Sequence, residues 1–267
     1  MSTLMWDKAH LETLANHHGW TLHHTQTIDS TNTALLNRAQ HAPIHRHWWI
    51  TDEQYQGRGR HGNVWYATPG STLLTSFSWT LLQPLHRATQ GVSLVVGLCI
   101  IQALQSLTTE ARLKWPNDIL LNGKKLAGIL IETTKSTRES TTLIIGLGLN
   151  WCSPSTDILP DSIGLDTVCP KLSETDRYAF LNTLLRQLDA HLQYFGEDGF
   201  APFRYDWVHY HAWAVGTPVR WDTPQEMCEG YLDTLDEFGQ LWVVQSHGQR
   251  IPLGEHAYTL RPRKELL

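Results

Sequence analysis

The densest chemistry in the chain lies between Thr51 and Tyr66, where Gly57, Gly59 and Gly62 are interleaved with Arg58, Arg60 and His61. Glycine lets the backbone approach a ligand closely, and arginine presents a fixed fork of donors suited to phosphate or carboxylate. After Glu53 the next acidic residue is Glu110, so nothing nearby in sequence offsets the charge. The stretch reads as a flexible cationic loop able to wrap an anion. It spells G-x-G-x-x-G, but a dinucleotide-binding turn needs a helix to open at the glycines and an acid about 20 residues on. Val64 to Gly70 reads as loop and that window holds no acid, which argues against a Rossmann site. A G-x-x-x-x-G-K-[ST] phosphate loop does not occur.

A second cationic stretch runs from Arg112 to Glu132. Asn122-Gly123 between two apolar runs predicts a hairpin, with strands at 119–121 and 124–132. Lys114, Asn117 and Asp118 then stand at the mouth of one strand, and Lys125 projects from the return strand. Lys125 either meets an anion or faces water, and the alternation allows both. Gly128 leaves room for a close approach. Ser30-Thr31-Asn32 opens a helix reaching about residue 39, with Ser30 or Asp29 as its cap. Residues 141–150 form an apolar strand gapped at Gly146 and Gly148, where a flat ligand would fit, and Asn150 ends it. This strand is read as an edge that could pair across a homodimer.

The elements that position these residues follow from periodicity. Helices are predicted over 7–18 and 89–107, the latter apolar nearly all round. Residues 47–51 form a strand, and 72–80 alternates as a half-buried one, with Leu73, Thr75, Phe77 and Trp79 on one face. Residues 152–171 are loop, a capped helix spans 173–196 with Gly196 as its stop, and another covers 198–211. From Gly216 short strands at 218–221, 229–235, 240–245 and 249–252 and a tail to Pro262 predict a small β-barrel. The expected division is residues 1–214 and 215–267.

The 267 residues are 41% hydrophobic and 18% charged, ordinary for a soluble domain, and the formal charge of −5 argues against a dedicated nucleic-acid binder. Four scattered cysteines form no C-x-x-C pair, and no signal-peptide pattern or bilayer-length apolar run stands out. The expected location is the cytoplasm, with no membrane partner. The fifteen histidines show no metal-ligand spacing.

Taken in order, Ser30-Thr31-Asn32, Gln54-x-x-Gly57-Arg58-Gly59-Arg60 with Trp65, Lys114-Trp115-Pro116-Asn117-Asp118, Lys125-Leu126-Ala127-Gly128, Gly146-x-Gly148-x-Asn150 and Leu260-Arg261-Pro262 resemble the biotin–protein ligases. The resemblance is strong over residues 25–151 and weaker over 216–262. It implies an α+β fold of the class II aminoacyl-tRNA-synthetase-like, biotin/lipoate-ligase kind, with a mixed sheet, flanking helices and a C-terminal SH3-like barrel. It also implies adenylation of biotin by ATP with Mg²⁺, then transfer to a lysine of a biotin carboxyl carrier domain of acetyl-CoA carboxylase. By position, Ser30, Thr31, Asn32, Gln54, Gly57, Arg58, Gly59, Arg60, Lys125 and Gly128 would hold biotin. Arg58, Arg60, Trp65, Lys114, Asn117, Asp118, Asn150 and Arg261 would hold the nucleotide, and Asp118 the metal. Arg60, Lys125 and Lys114 would carry the catalysis.

Two departures stand out. His61 and Asn63 occupy positions where members often carry arginine, so this loop is less cationic. Only about 25 residues precede the first motif, so no operator-binding domain and no repressor role are expected. A lipoate ligase, a non-catalytic biotin-binding paralogue and an RNA-binding protein are the competing readings; Gln54 with the Gly57–Arg60 run, the pairing of Arg60 with Lys125, and the acidic balance argue against each in turn. The loop over 54–66 is expected to order on ligand binding.

Overall fold

The computed structural model describes residues 5–223, 226–254 and 258–263. The chain opens with helix α1 (Lys8–His18), whose first turn is capped by the Asp7 carboxylate accepting from the Ala9 N–H at 2.8 Å. Gly19 ends it in the left-handed region at φ 67°, as its sequence predicts. Strand β1 (Thr21–Ile28) follows, then helix α2 (Thr31–His41) with Ser30 as N-cap, and strand β2 (His47–Gln54). β3 (Thr72–Leu81) leads into the short helix α3 (Leu85–Thr89) and the core helix α4 (Val92–Leu104).

The helix expected over 89–107 is α4, shorter at both ends, and a turn at residues 90–91 separates it from α3. Gly91 sits at φ 82°, and a Cβ there would fall 2.7 Å from Phe200 Cβ, so a close approach by another segment forces the turn. Taken together, Leu85–Leu104 is long and apolar enough to cross a membrane by length and composition, yet 67% of that window is buried inside the fold.

Strands β4 (Arg112–Lys114), β5 (Asp118–Leu121), β6 (Lys124–Thr134) and β7 (Thr141–Asn150) complete a seven-stranded sheet, ordered β1-β2-β3-β7-β6-β5-β4. Only β1 and β2 run parallel; the other neighbours are antiparallel. Asn122-Gly123 makes the β5–β6 turn, both residues at positive φ, as its chemistry requires. β7 is flanked by β3 and β6 along its length, so it is a central strand and not the edge its sequence suggested. The outermost strands of this sheet are β1 and β4.

The sheet is covered on both faces. Helix α4 packs on α5 (Glu174–Asp198), and together with α1 they bury Leu73, Phe77, Trp79, Leu143 and Ile145. On the other face Leu35 and Ala39 of α2 pack with Ile44 and Ile144. β3 is consequently buried on both faces rather than half-buried, with Ser76 and Ser78 turned to the α2 side. α5 carries a Ser173–Asp176 capping box and runs through Gly196 to Gly199, which supplies the positive φ that Gly196 was expected to supply. Residues 201–203 form a 3-10 turn before helix α6 (Arg204–Tyr210).

A second, antiparallel sheet holds β8 (Pro218–Asp222), β9 (Met227–Leu235), β10 (Leu241–Gln245), β11 (Arg250–Pro252) and β12 (Tyr258–Pro262) in the order β11-β10-β9-β8-β12. It matches the expected barrel strands to within two residues; Glu255 to Ala257 of the expected tail lie outside the described residues. The turn before β10 touches the first sheet, where the Trp115 indole N–H donates to the Gly239 carbonyl at 3.1 Å.

His211 joins α6 to β4: its backbone bridges Leu113 and its ring lies 4.7 Å from that of Trp207. Burial lowers its pKa to about 4, and Nε2 has no protein partner. The unfolded chain protonates near pH 6.5, so between these values it binds a proton the folded chain refuses. Stability from this group is complete above about pH 6.5 and is lost as pH falls toward 4, by roughly 3 kcal/mol at most. Urea midpoints should fall between pH 7 and pH 5, and the fall should be shallower in His211→Gln.

Candidate active site

One cavity of about 290 Å³ opens on the α2 face of the large sheet, beside the α2 N-terminus. Its floor is the cross-strand pair Gly128 and Gly148 of β6 and β7, with Gly146 two residues further along. These glycines are required by what lies on them. A Cβ at Gly148 would fall 2.3 Å from Trp65 Cε2, and one at Gly128 would fall 2.9 Å from Trp65 Cζ3. A Cβ at Gly146 would meet Asn32 Oδ1 at 2.4 Å. The gap read from sequence as room for a flat ligand is filled by the chain's own Trp65 indole, whose N–H is buried without a protein partner.

The cavity is bounded on one side by hydroxyls and amides. Gln54 Oε1 accepts from the Thr31 backbone N–H at 2.7 Å, and Thr31 Oγ1 lies 2.6 Å from Ser76 Oγ. Ser30, Thr31 and Asn32 are buried at the first turn of α2, whose partial positive charge faces this end.

The opposite side is cationic. Asp118 takes Lys125 Nζ at 2.7 Å on one carboxylate oxygen and Lys114 Nζ at 3.4 Å on the other. Lys125 Nζ also stands 5.5 Å from the Trp65 ring centroid. Over the top, the loop folds on itself as a small hairpin. Trp65 N–H donates to the Gly57 carbonyl and Gly59 N–H to the Asn63 carbonyl, with a 3-10 turn at Arg60–Gly62. Its arginines reach down to fixed partners: Arg58 to Glu132 at 2.6 Å and Arg60 to Asn117 Oδ1 at 3.2 Å. Asn117 is itself oriented by donating to the Ile129 carbonyl. Four lysine and arginine side chains thus line the cavity against one carboxylate, Asp118, in a chain whose formal charge is −5. Such a site holds a polyanion and stabilises charge that develops on it.

Residues 25–150, which supply most of this cavity, match the model of the biotin/lipoate A/B protein ligase family. The biotin–[acetyl-CoA-carboxylase] ligase of Paracoccus denitrificans is 31% identical over 237 residues, covering 84% of this chain and 94% of that one. The chain belongs to the biotin protein ligase family. The bifunctional ligase/repressor BirA of Escherichia coli (strain K12) is 35% identical over 82% of the chain; the chain spans 67% of that protein, and 56% of its Salmonella typhimurium counterpart. Among solved structures, the Aquifex aeolicus biotin protein ligase in complex with biotin and ATP superposes with a TM-score of 0.75 at 26% identity, covering 91% of this chain and 99% of that one.

Most residues singled out from the ligase motifs converge on the cavity: Ser30, Thr31, Asn32, Gln54, Arg58, Gly59, Arg60, Trp65, Lys114, Asn117, Asp118, Lys125 and Gly128 all line it. Three do not. Gly57 is buried under the loop, where a Cβ would strike the Trp65 carbonyl oxygen at 2.5 Å, so the loop needs glycine there. Asn150 is buried with its amide donating to the Ile163 carbonyl at 3.2 Å. Arg261 is exposed and pairs with Asp222 at 3.4 Å, while its neighbour Leu260 lines the cavity. Sequence reasoning missed Ser76 and Glu132. Ser76 lies inside an apolar strand and Glu132 near the end of another, and neither belongs to a short motif. For Mg²⁺ the donor set is sparse: among the described residues the cavity offers one carboxylate, both of whose oxygens hold lysines. It fits an ion that arrives with nucleotide phosphates, which Mg²⁺ prefers, better than a resident all-protein site.

Proposed function

We propose that this cavity adenylates biotin with ATP and then passes the biotinyl group to a lysine of a carrier domain, the biotin carboxyl carrier domain of acetyl-CoA carboxylase. The observation that carries the reading is the junction of a hydroxyl- and amide-lined pocket with a two-lysine wall under a loop that brings two arginines. In the first step a biotin carboxylate oxygen attacks the α-phosphorus of ATP and the bond to pyrophosphate breaks. In the second, the acceptor amine attacks the acyl carbon and AMP leaves.

Ser30, Thr31 and Gln54 hold the head group. Lys125, fixed by Asp118, meets the carboxylate and α-phosphate, where negative charge gathers in the transition state. Arg58 and Arg60 close over the mixed anhydride and keep water from it. Lys114 serves the phosphates, and Trp65 flanks the adenine once it leaves the glycine floor. Asp118 would be the protein ligand of Mg²⁺, which supplies charge neutralisation to the phosphates when bound. With four free cysteines, the reading places the protein in the reducing cytoplasm, without a nucleic-acid partner.

Incubation with Mg·ATP and either biotin or lipoate, followed by mass spectrometry, tests the reading. The expected product is biotinyl-AMP, then one biotin on a carrier domain. Lipoyl-AMP as the main product, or no adenylate from folded protein, would overturn it.

A further inference from the structure

Lys114 and Asp118 of the cavity stand at the outer margin of the large sheet. Lys114 ends β4, the three-residue outermost strand, and Asp118 opens β5 opposite it. An outermost strand has one row of backbone groups outside the ladder, so other ties must hold a side chain carried on it. The second sheet and the segment leading into it supply them. The Ala212 N–H donates to the Leu113 carbonyl at 2.8 Å, and the chain runs on from there to β8. Three residues, Trp115 to Asn117, join Lys114 to Asp118. The Trp115 indole N–H donates to the Gly239 carbonyl at 3.1 Å, and the Pro116 carbonyl accepts from Ser93 Oγ of α4 at 3.0 Å. Trp115 is buried, so its N–H is turned to the barrel and not to solvent.

The β9–β10 turn is shaped to bring that carbonyl in. Asp236 Oδ1 accepts from the Phe238 and Gln240 N–H groups at 3.0 and 2.9 Å, and Oδ2 from the Trp242 indole at 2.9 Å, which fixes the course of the turn. Gly239 sits at φ 83°, and a Cβ there would fall 2.8 Å from Leu94 Cδ1 and 3.0 Å from Gly91 Cα. A Cβ on Gly91 would fall 3.0 Å from the Phe238 carbonyl oxygen. The two glycines let the turn press on the start of α4, and a side chain on either would hold it off.

On its cavity side the same segment arranges three of the four cations. Lys114 meets Asp118 at 3.4 Å, Asp118 holds Lys125 at 2.7 Å, and Asn117 Oδ1 accepts from Arg60. We propose that Trp115 is a positioning residue: through its hydrogen bond to Gly239, the barrel turn holds Lys114 against Asp118 in the geometry that adenylation uses. The proposal rests on the biotin-ligase reading above. It gives the barrel a part in the first step that needs no contact with nucleotide, while its Arg261 is spent on Asp222. The tie reaches the cationic side and not the hydroxyl- and amide-lined wall, so it acts on turnover and not on biotin affinity.

The test uses Trp115→Phe, which keeps an aromatic ring and removes the N–H, and Gly239→Ala, which leaves Trp115 intact and displaces the turn from the barrel side. In each, single-turnover adenylation at saturating biotin and ATP should fall about tenfold, less than the roughly 10²-fold that a 1 Å misplacement can cost, because other ties remain. Biotin affinity by titration calorimetry should stay within about twofold. The double variant should be no slower than the slower single one, and Trp115→Phe should cost less than about threefold in a Lys114→Ala background. A merely structural role would lower affinity and rate together and would add in full to Lys114→Ala; either result overturns the proposal. Where one variant does not fold, the other carries the same cycle with Lys114→Ala. Hydrogen exchange over residues 112–118 without substrates reads the tie directly: it should quicken several-fold in both variants, and unchanged exchange overturns the tie. Wild-type protein that adenylates neither biotin nor lipoate overturns the functional reading and the catalytic part of the proposal with it, while exchange still decides whether the barrel holds the segment.

Discussion

Lys125→Ala lowers the single-turnover rate of biotin adenylation by about 10²–10³, equivalent to about 3–4 kcal/mol of transition-state stabilisation. Three observations support so large an effect. The ammonium is held 2.7 Å from Asp118 on a strand bonded to both neighbours, so it is preorganised before substrate arrives. Its side chain is 36% exposed, so it faces the cavity and not bulk solvent alone. Among the described residues it stands beside the one carboxylate that lines the cavity, and its removal leaves Asp118 with Lys114, at 3.4 Å. The lysine's charge matters most when the carboxylate of biotin and the α-phosphate share a fifth bond, so the loss should appear in the rate at saturating substrates. The melting temperature should hardly move, because Lys125 lies outside the hydrophobic core. Pre-steady-state quench measurements at saturating biotin and ATP decide the matter. An unchanged rate with a raised biotin KM would make Lys125 a ground-state anchor.

The distribution of legible and illegible features follows the range of the interactions. Asn122-Gly123 specifies its turn locally, and Asp7 and Gly19 bracket α1 locally, so these elements were readable from a few adjacent residues. The position of β7 was not. An apolar strand of ten residues reads alike at an edge or at a centre, and only its pairing with both β3 and β6 makes it central. The break before α4 likewise comes from Phe200, more than 100 residues away.

In the site, the motif residues were readable because each brings charge or a hydroxyl to a glycine-bearing turn. Ser76 was unreadable because its partners Thr31 and Asn32 lie 45 and 44 residues away, and Glu132 because Asn32 lies 100 residues from it. Asn150 marks the limit of transfer by position: it ends the expected strand, yet its amide is spent on Ile163. Gly146 and Gly148 were readable as gaps, but their occupants come from other parts of the chain.

Those two glycines divide the cavity, and alanine at each should separate the two substrates. Alternation along β7 puts both on the same face. Gly148 lies under the Trp65 indole, and Gly146 lies under Asn32, whose Oδ1 accepts from Ser76. A methyl at 148 would overlap the indole at 2.3 Å, and one at 146 would overlap Asn32 Oδ1 at 2.4 Å. Overpacking of this kind costs about 1–3 kcal/mol, or roughly 5- to 150-fold in affinity. Neither glycine has positive φ, so alanine adds no backbone strain and the expected effect is confined to the face it blocks. Gly148→Ala should raise the KM for ATP by about tenfold or more while biotin affinity stays within about twofold, and Gly146→Ala should do the reverse. Titration calorimetry with biotin and initial rates against ATP give both numbers for both variants. Equal losses for the two substrates in each variant would mean that the floor is one undivided surface. Crossed losses would place the head group over Asn32 and the nucleotide over the Gly128–Gly148 pair, with Trp65 as the residue that has to yield.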